Sequence, residues 1–341
     1  MKNYLTATNA LFENKDLGAD LAEAVMEEIM TGALNEVQIA TFLSALATKK
    51  ETADEFLGMA KVLRRHAATV NVEGDLFDTC GTGGSGLDTP NTSTLSALVV
   101  ATAGVKVAKH GNRSSSGRCG SADVLEKAGV NISLLKPEVE RLLAEQNFVF
   151  MLAPLFHPAM KFAGPVRKQM GVRTSFNFLG PLANPANVSR QVLGVSDLVR
   201  APLMAKALAG LGVSRALVVH GLDGLDEITT TGPTAAWQVQ DDQVESLTIN
   251  PEELGIERAQ HADITGGDAE LNLAIFEQTL NGTVSAPVCD LIALNAGAAL
   301  WIADVTSTIA EGYKLAVEII RSGKLNDTLV SYRDLSNELS S

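Results

Sequence analysis

The part of the chain best equipped for chemistry is residues 78–123, which is dense in glycine, small hydroxyl side chains and basic side chains. It begins with a glycine-rich turn formed by Gly81, Gly83, Gly84 and Gly86. Glycine lets the backbone bend tightly and approach a ligand closely, so that amide groups can point at the oxygens of an anion. The turn therefore predicts an anion-binding loop.

A predicted helix begins directly after this loop. Asn91, Ser93 and Thr94 precede the apolar run at residues 95–100, and side chains of these types commonly cap a helix N-terminus. The positive end of the helix dipole would then face the same anion. The sequence thus places a helix N-terminus beside the glycine-rich turn.

Cationic and polar side chains follow a second short predicted strand, residues 105–108. They are Lys109, His110, Asn112, Arg113 and Ser114, Ser115 and Ser116. The glycines also have the G-x-G-x-x-G spacing of a dinucleotide-binding fold, which requires an acidic residue after the next strand. Lys109 and His110 stand there instead, and the Gly-Lys-Ser/Thr of a P-loop is missing. The pattern favours a phosphate ligand held by local positive charge.

Two hydrophobic patterns surround this segment. In residues 1–70, apolar side chains recur at helical spacing, and the pairs Asn35/Gln38 and Thr52/Glu55 have capping-box spacing, which predicts consecutive helices. Further along, short apolar strands alternate with helices, as in an α/β domain. The predicted strands are 76–77, 105–108, 148–152, 191–195 and 216–220, followed by a Thr-rich strand pair that ends at Val239.

The predicted fold class is α/β, with a small N-terminal all-helical domain and a larger α/β domain whose central, mostly parallel sheet is flanked by helices. Residues 1–70 form the helical domain, which is completed by about 156–185, where Pro, Gly and Asn interrupt the alternation. Residues 71–155 and 186–341 form the α/β domain. The apolar run at 288–305 is interpreted as a buried helix.

Composition narrows the class of protein. A net charge of −13 over 341 residues argues against nucleic-acid and anionic-membrane partners, which attract clustered Lys and Arg. No uninterrupted apolar segment approaches the roughly 20 residues that span a bilayer, and three cysteines do not fit a secreted disulfide framework. We therefore expect a cytoplasmic protein. Because a small helical domain leaves apolar helix faces uncovered, we also expect a homo-oligomer.

Taken together, the motifs resemble the anthranilate phosphoribosyltransferase family. GTGG is followed by N-x-S-T, then by KHGNR, a serine-rich loop and GSADVLE, and the similarity continues through Arg167, GVRTSFNFLGPLANP and GLDGLDEIT. The resemblance implies a homodimer formed through the helical domain. It also implies transfer of phosphoribosyl from phosphoribosyl diphosphate to the amine of anthranilate, in tryptophan biosynthesis, with Mg²⁺ as cofactor.

The resemblance also assigns residues to ligands. Phosphoribosyl diphosphate would be bound by Gly81, Gly84, Ser85, Thr89, Asn91, Thr92, Ser93, Thr94, Lys109, His110, Gly111, Asn112, Arg113, Ser114, Ser115, Ser116, Gly117 and Ser121. Anthranilate would be bound by Gly81, Asn112 and Arg167, and the metal by Ser93, Asp226 and Glu227. Lys109 would act electrostatically, and no residue is expected to act as a catalytic acid or base, because diphosphate is a stabilised leaving group.

Several of these residues have a second interpretation when taken singly. Asp226–Glu227 could be a solvated turn, Arg167 a surface salt bridge and His110 the end of a strand. Cys119 is better explained as a small filler than as a nucleophile, because no Cys–His constellation surrounds it.

Two rival functions and two departures from the family pattern accompany the resemblance. A pyrimidine nucleoside phosphorylase shares the architecture, but RTSFNFLGPLANP continues the acceptor region of the first family. A non-catalytic nucleic-acid-binding relative fits the net charge poorly. The family usually has Asp where this chain has Ser85, and Phe where it has Pro90. We therefore expect local differences at the loop and at the start of the helix.

Overall fold

The amino-terminal part of the chain is helical in the computed structural model, which describes residues 2–113 and 119–339. Its helices are α1 Lys2–Phe12, α2 Ala19–Met30, α3 Glu36–Lys49 and α4 Ala53–Arg65. Both predicted capping boxes are confirmed. The Asn35 side chain accepts a hydrogen bond from the Gln38 backbone at 3.0 Å, and the Thr52 hydroxyl accepts one from the Glu55 backbone at 3.3 Å.

Within the described residues, seven strands form one sheet. They are β1 Phe77–Gly81, β2 Val107–Gly111, β3 Phe148–Leu152, β4 Arg190–Gly194, β5 Arg215–Gly221, β6 Thr234–Gln240 and β7 Gln243–Ile249. The spatial order is β3-β2-β1-β4-β5-β6-β7. Strands β1 to β5 are mutually parallel, whereas β6 and β7 pair antiparallel at one edge. The predicted mostly parallel sheet is confirmed.

Some strand boundaries differ from the prediction. The apolar run placed the first strand at 76–77, whereas β1 extends through Asp78 and Thr79, which are polar and yet buried. The Thr-rich strand pair predicted to end at Val239 is wrong as well. The antiparallel pair is formed by β6 and β7, because Asp241 and Asp242 adopt positive φ angles and make the turn between them.

Lys109 and His110 lie inside a strand and not after it. The second strand begins two residues later than predicted, includes both residues and ends at Gly111. Both residues are buried. The charge of Lys109 is therefore held inside the domain, at the carboxyl end of β2.

The remaining helices lie between and after the strands along the chain. They are α5 Thr92–Thr102, α6 Ser121–Lys127, α7 Lys136–Glu145, α8 Ala153–Phe156, α9 Gly164–Met170, α10 Phe176–Leu179, α11 Ala201–Gly210, α12 Ala269–Leu280, α13 Ala286–Ile302, α14 Ile309–Arg321 and α15 Lys324–Glu338. Short 3₁₀ turns lie at Pro158–Lys161, Gly180–Leu182, Pro251–Leu254 and His261–Asp263.

Helix α13 is the buried helix that the sequence predicts, and most of its side chains are shielded from solvent. It packs closely against α14 where Gly297 faces Gly312, since a Cβ atom on either glycine would collide with the backbone of the other helix. In the part of the chain that the structure describes, no helix is both long and apolar enough to cross a membrane.

Apolar side chains pack on both faces of the sheet. On one face, α5, α7, α13 and α15 cover alternate residues of the strands, including Val192 and Leu217. On the other face, α1 to α4 form a continuous core with α11, the opposite strand residues Leu193 and Val218, and residues 163–183. The segment from α9 to α10 therefore packs with the helical part, although the domain boundaries themselves stay a prediction.

The parallel strands place the polar loops of the chain at one edge. From β1 the chain proceeds outward through β2 to β3, and then returns to the other side of β1 with β4 and β5. Ligands of such sheets bind beyond the carboxyl ends of the strands, at the point where the strand order reverses. That point lies between β1 and β4, where the glycine-rich turn begins.

Candidate active site

The glycine-rich turn adopts a conformation that requires glycine. Gly83, Gly84 and Gly86 have φ angles of 65°, 79° and 77°, a region that other residues rarely adopt. The turn is attached to its surroundings at two amides. The Thr82 N–H donates to the Gly194 carbonyl at 2.9 Å, and the Gly83 N–H donates to Asp226 Oδ2 at 2.7 Å.

Asp226 and Glu227 are not a fully solvated turn, because both residues are half-buried beside the glycine-rich turn and Glu227 Oε2 is shielded from solvent. A Cβ atom on Gly81 would lie 2.5 Å from Asp226 Oδ2, and one on Gly194 would overlap the Asp226 carbonyl oxygen. Glu227 Oε1 accepts a hydrogen bond from the Thr89 hydroxyl at 3.1 Å. The structure thus joins the turn after β1 to the acidic loop after β5.

The environment of the two carboxylates suits a cation. Burial raises the pKa of Asp226, and burial together with the neighbouring Asp226 charge raises the pKa of Glu227 to about 8. Glu227 Oε2 has no hydrogen-bond partner among the described residues. A cavity of about 20 Å³, enough for one small ion or water, lies between Ser93, Asp226 and Glu227.

The donor set favours Mg²⁺ over a softer metal. Carboxylate and hydroxyl oxygens are the ligands that Mg²⁺ prefers, and it usually keeps several waters or phosphate oxygens in its shell. No group of three or more His, Cys, Asp or Glu side chains within residues 2–113 and 119–339 could hold a metal by itself. Two carboxylates and Ser93 would therefore need water or phosphate oxygens to complete the shell.

Lys109 faces the same place from β2. Its Nζ donates to the Thr79 carbonyl at 2.5 Å and to Ser93 Oγ at 3.2 Å. Burial lowers the pKa of this ammonium group, whereas Asp78 and Glu227 act in the opposite direction. A cation is thus held at the start of α5, within hydrogen-bond distance of the predicted metal ligand Ser93.

Sequence reasoning missed the residues that support Lys109. Burial raises the pKa of Asp78 to about 6, although the Lys109 charge opposes this shift. Asn184 Nδ2 donates to Asp78 Oδ2 at 2.8 Å and to the Ala108 carbonyl at 2.9 Å. The signal available in the sequence was an aspartate directly after the apolar residues Leu76 and Phe77, since an aspartate buried in a strand needs a partner.

The start of α5 differs from the predicted cap. Asn91 precedes the helix with φ 54°, and its side chain makes no capping hydrogen bond. Instead, it donates to the Cys119 carbonyl at 3.1 Å and accepts from Asn272 Nδ2 at 3.0 Å. The capping role expected for Asn91 is therefore wrong. Asn91 connects α5 to the segment before α6 and to α12.

Hydroxyl groups remain available at this helix N-terminus. The side-chain oxygens of Thr92 and Thr94 are buried and have no hydrogen-bond partner within the described ranges. Ser85 Oγ contacts the Leu87 backbone at 3.3 Å. Buried polar groups are normally paired, so the unpaired hydroxyl groups are consistent with a ligand at this end of α5.

The predicted phosphate ligands that follow β2 are only partly brought to the turn. Arg113 pairs with Glu126 at 2.7 Å and with Asp123 at 3.2 Å, both on α6, so its predicted phosphate contact would have to compete with two carboxylates. Ser121 Oγ donates to the Asn112 carbonyl at 3.2 Å, and a Cβ on Gly111 would collide with Ser121 Oγ and the Phe150 ring. Ser114, Ser115, Ser116 and Gly117 lie outside the described residues.

The predicted acceptor side contains two neighbouring histidines and an arginine. The rings of His110 and His157 lie 5.0 Å apart, and both residues are buried. Burial lowers the pKa of His110 to about 3 and that of His157 to about 4. Arg167 is half-buried on α9, 5.1 Å from the Phe176 ring centre, and burial lowers its pKa. It makes no salt bridge to any described residue, contrary to the surface interpretation.

Comparisons with known proteins agree with this architecture. Residues 5–67 match the helical bundle domain of a glycosyl transferase family, and residues 73–325 match the a/b domain of a glycosyl transferase family. A fold with this helical bundle and a site at the strand reversal is that of a two-domain glycosyl transferase.

Relatives define the group more narrowly. The chain is 47% identical over 328 residues to the anthranilate phosphoribosyltransferase of Chloroflexus aggregans, covering 96% of each chain. It is 45% identical over 334 residues to that of Alkaliphilus metalliredigens, covering 98% of each. The chain belongs to the anthranilate phosphoribosyltransferase family.

Solved structures of anthranilate phosphoribosyltransferases share the fold of this chain. The anthranilate phosphoribosyltransferase of Thermus thermophilus is 39% identical, with a TM-score of 0.91 over 97% of this chain and 99% of that one. The Saccharomyces cerevisiae enzyme in complex with PRPP and Mg is 28% identical, with a TM-score of 0.89 over 98% of each chain. The family resemblance and the fold class predicted from the sequence are both confirmed.

The buried histidine pair predicts a specific pH dependence of stability. Unfolded histidine takes up a proton below about pH 6.5, whereas buried His110 and His157 do so only near their lowered pKa values of about 3 and about 4. Their contribution to stability is therefore present above pH 6.5 and is lost as the pH falls. Between pH 7 and 4.5, urea unfolding followed by circular dichroism should show the wild type losing about 2 to 5 kcal/mol more than the His110→Gln/His157→Gln variant.

His261→Gln, at an exposed position, is the matched control for the histidine experiment. It should keep the wild-type dependence on pH. Equal losses in the wild type and in the double variant would contradict the interpretation of His110 and His157 as buried neutral groups.

Proposed function

We propose that this chain transfers the phosphoribosyl group of 5-phosphoribosyl 1-diphosphate to the amine of anthranilate, giving N-(5-phosphoribosyl)anthranilate and diphosphate, in tryptophan biosynthesis. The observation that carries the proposal is the closure of the glycine-rich turn onto Asp226 and Glu227 at the strand reversal, with Lys109 alongside. Family membership and this arrangement support the same reaction.

The diphosphate would be held where backbone and side-chain donors converge. The amides of Gly81, Gly84 and Ser85, the hydroxyls at the start of α5 and the ammonium group of Lys109 are assigned to it. A helix N-terminus and fixed donors stabilise the negative charge that grows on the leaving group. The larger set predicted from the sequence, from Thr89 to Ser121, includes residues whose ligand contacts stay a proposal.

Ser93, Asp226 and Glu227 would hold Mg²⁺, which fits their oxygen donors and the cavity between them. When bound, Mg²⁺ supplies positive charge that offsets the charge of the diphosphate. The half-buried carboxylates would keep this charge near the leaving group. Lys109 neutralises the same group from β2.

Anthranilate would be held by Arg167, Asn112 and Gly81. A guanidinium group can donate two parallel hydrogen bonds to a carboxylate, and Arg167 pairs with no described carboxylate. The bond from ribose C1 to diphosphate breaks and its electron pair leaves on diphosphate, the bond from C1 to the amine nitrogen forms, and the extra proton on that nitrogen passes to water. Because the neutral amine already carries a lone pair and diphosphate is a good leaving group, positioning and charge account for catalysis without a protein acid or base.

We propose further that residues 1–70 and about 156–185 form one domain. Arg167 on α9 and the segment before α10 pack with the helical core, so this domain would carry the acceptor side, while residues 71–155 and 186–341 would carry the diphosphate side. We place the reaction in the cytoplasm, which the three free cysteines support.

The activity is tested by fluorescence. Purified chain, phosphoribosyl diphosphate and Mg²⁺ should consume anthranilate, seen as a loss of its fluorescence, and omission of Mg²⁺ should abolish the loss. Diphosphate release is measured in parallel, because its amount should equal the anthranilate consumed. No turnover at saturating substrates would contradict the proposed function.

Arg167→Ala should chiefly weaken anthranilate binding. Loss of a half-buried guanidinium that is assigned to a carboxylate should raise the KM for anthranilate roughly 10- to 100-fold, with the KM for phosphoribosyl diphosphate within about twofold of wild type. Arg141→Ala, which removes an exposed arginine paired with Glu145, is the matched control. An unchanged anthranilate KM would remove Arg167 from the site.

We also propose a homodimer formed through the helical domain. Phe12 on α1 and Val37 on α3 are 67% and 75% exposed. They flank an open groove of about 770 Å³ that is also lined by Leu11, Ala40 and Ala45. Exposed apolar side chains next to such a groove favour association with a second copy.

Val37→Asp should dissociate this dimer. A carboxylate placed in an apolar contact is unfavourable unless it is paired, so light scattering after size exclusion should shift from about twice the chain mass of 35.9 kDa toward the mass of one chain. Leu135→Asp, at an exposed leucine that directly precedes α7, is the matched control and should leave the mass unchanged. A wild-type chain that elutes as a monomer at micromolar concentration would contradict the homodimer.

A further inference from the structure

Arg173 contacts the glycine-rich turn through the carbonyl groups of the turn, whereas Asp226 contacts it through an amide. Its Nη1 donates to the Gly84 carbonyl at 2.9 Å, and its Nη2 donates to the Gly83 carbonyl at 3.2 Å. One side chain therefore occupies the carbonyl groups of two consecutive residues. Those residues are also the ones whose positive φ angles define the turn.

Ser196, two residues after the end of β4, completes this contact. Its Oγ donates to the Gly83 carbonyl at 2.8 Å and accepts from Arg173 Nη2 at 3.1 Å, and its backbone N–H donates to Thr82 Oγ1 at 3.1 Å. Arg173 and Ser196 thus act on the same carbonyl and on each other. They come from separate parts of the chain, 23 residues apart.

The Arg173 side chain is held by its surroundings although the residue is exposed. Its guanidinium carbon lies 5.1 Å from the centre of the Phe178 ring, and that of Arg200 lies 4.8 Å from the same ring. Arg200 is paired with buried Glu51 at 2.8 Å and with Asp197 at 2.6 Å. Arg173 makes no ion pair with a described carboxylate, so its positive charge is not offset by direct contact.

The direction of the carbonyl groups is what matters for an anion. A peptide presents a partial negative charge at its oxygen and a partial positive charge at its N–H, so a carbonyl turned toward diphosphate would repel it. Arg173 holds both oxygens on its own side. The Gly84 and Ser85 amides, for which no acceptor is found in the described part of the chain, stay available to the anion.

We propose that Arg173 is a positioning residue for the donor substrate: with Ser196, it clamps the glycine-rich turn in the conformation that presents its amides to diphosphate. This proposal rests on the proposed function. It assigns Arg173, which lies six residues after Arg167 on the predicted acceptor side, to the binding of phosphoribosyl diphosphate.

Steady-state kinetics of Arg173→Ala test the proposal. The variant should raise the KM for phosphoribosyl diphosphate about 10- to 100-fold, as expected for the loss of hydrogen bonds from a charged group, and should leave the KM for anthranilate within about twofold. Titration calorimetry with phosphoribosyl diphosphate and Mg²⁺ should show the same loss of affinity. A comparable rise in the anthranilate KM, or no change in either KM, would overturn the proposal.

Two further variants separate clamping from charge alone. Arg173→Lys keeps the charge but lacks the fork that bridges two carbonyls and a hydroxyl, so it should not restore the wild-type KM, and full rescue would overturn the clamp. The double variant Arg173→Ala/Ser196→Ala should raise the KM for phosphoribosyl diphosphate by less than the product of the two single effects, because both substitutions weaken the same contact. Multiplicative effects would show independent residues and would also overturn it.

Controls keep this experiment distinct from the test of function. Arg141→Ala should match the wild type, and circular dichroism should show that all variants keep the native fold. Absence of wild-type turnover would count against the proposed function itself. Wild-type turnover accompanied by unchanged kinetics in Arg173→Ala would count against the clamp alone.

Discussion

The site depends on two neighbouring, half-buried carboxylates that the glycine-rich turn and its surroundings pair only in part. A buried charge is unfavourable unless it is paired or hydrogen-bonded. Asp226 accepts a hydrogen bond from the Gly83 amide, and Glu227 Oε1 accepts one from the Thr89 hydroxyl. Glu227 Oε2 has no hydrogen-bond partner among the described residues. The unpartnered oxygen favours the binding of a cation. The raised pKa of Glu227 likewise shows that its negative charge is poorly compensated. Because the turn after β1 and the loop after β5 meet at these carboxylates, the binding of a cation depends on the geometry of both loops.

Much of the fold could be predicted because its signals are local. Capping boxes at Asn35 and Thr52, the apolar strand Phe148–Leu152 and the apolar run of α13 each identify their element within a few residues. The first strand could not be bounded this way. Its buried polar residues Asp78 and Thr79 interrupt the apolar pattern. The hydrogen bond to the Asp78 carboxylate comes from Asn184, more than a hundred residues away, and the Thr79 hydroxyl donates to the Ser93 carbonyl.

The residues of the site likewise divide into those that the sequence indicates and those that only the folded structure reveals. Residues clustered in the chain, such as Lys109 and the glycine-rich turn, could be proposed from type and spacing, and the family resemblance added Asp226, Glu227 and Arg167. The residues that fix their positions have ordinary local surroundings: Asn272 reaches Asn91 across 181 residues, and Arg173 reaches Gly84 across 89. An interaction that exists only after folding leaves no periodic or compositional signal, so Asn91 was misread as a helix cap.

The close approach of Gly81 and Gly194 to Asp226 constrains how this sequence can change over evolution. A methyl group on Gly194 would overlap the backbone of the acidic loop, and one on Gly81 would displace the Asp226 carboxylate, so the tolerance of both positions depends on a third one far along the chain. A lineage that first moved or lost the acidic loop would be free to fill both positions with alanine. It would then be unable to restore the carboxylate by a single substitution. Loss of the site would in this sense be easier than its return.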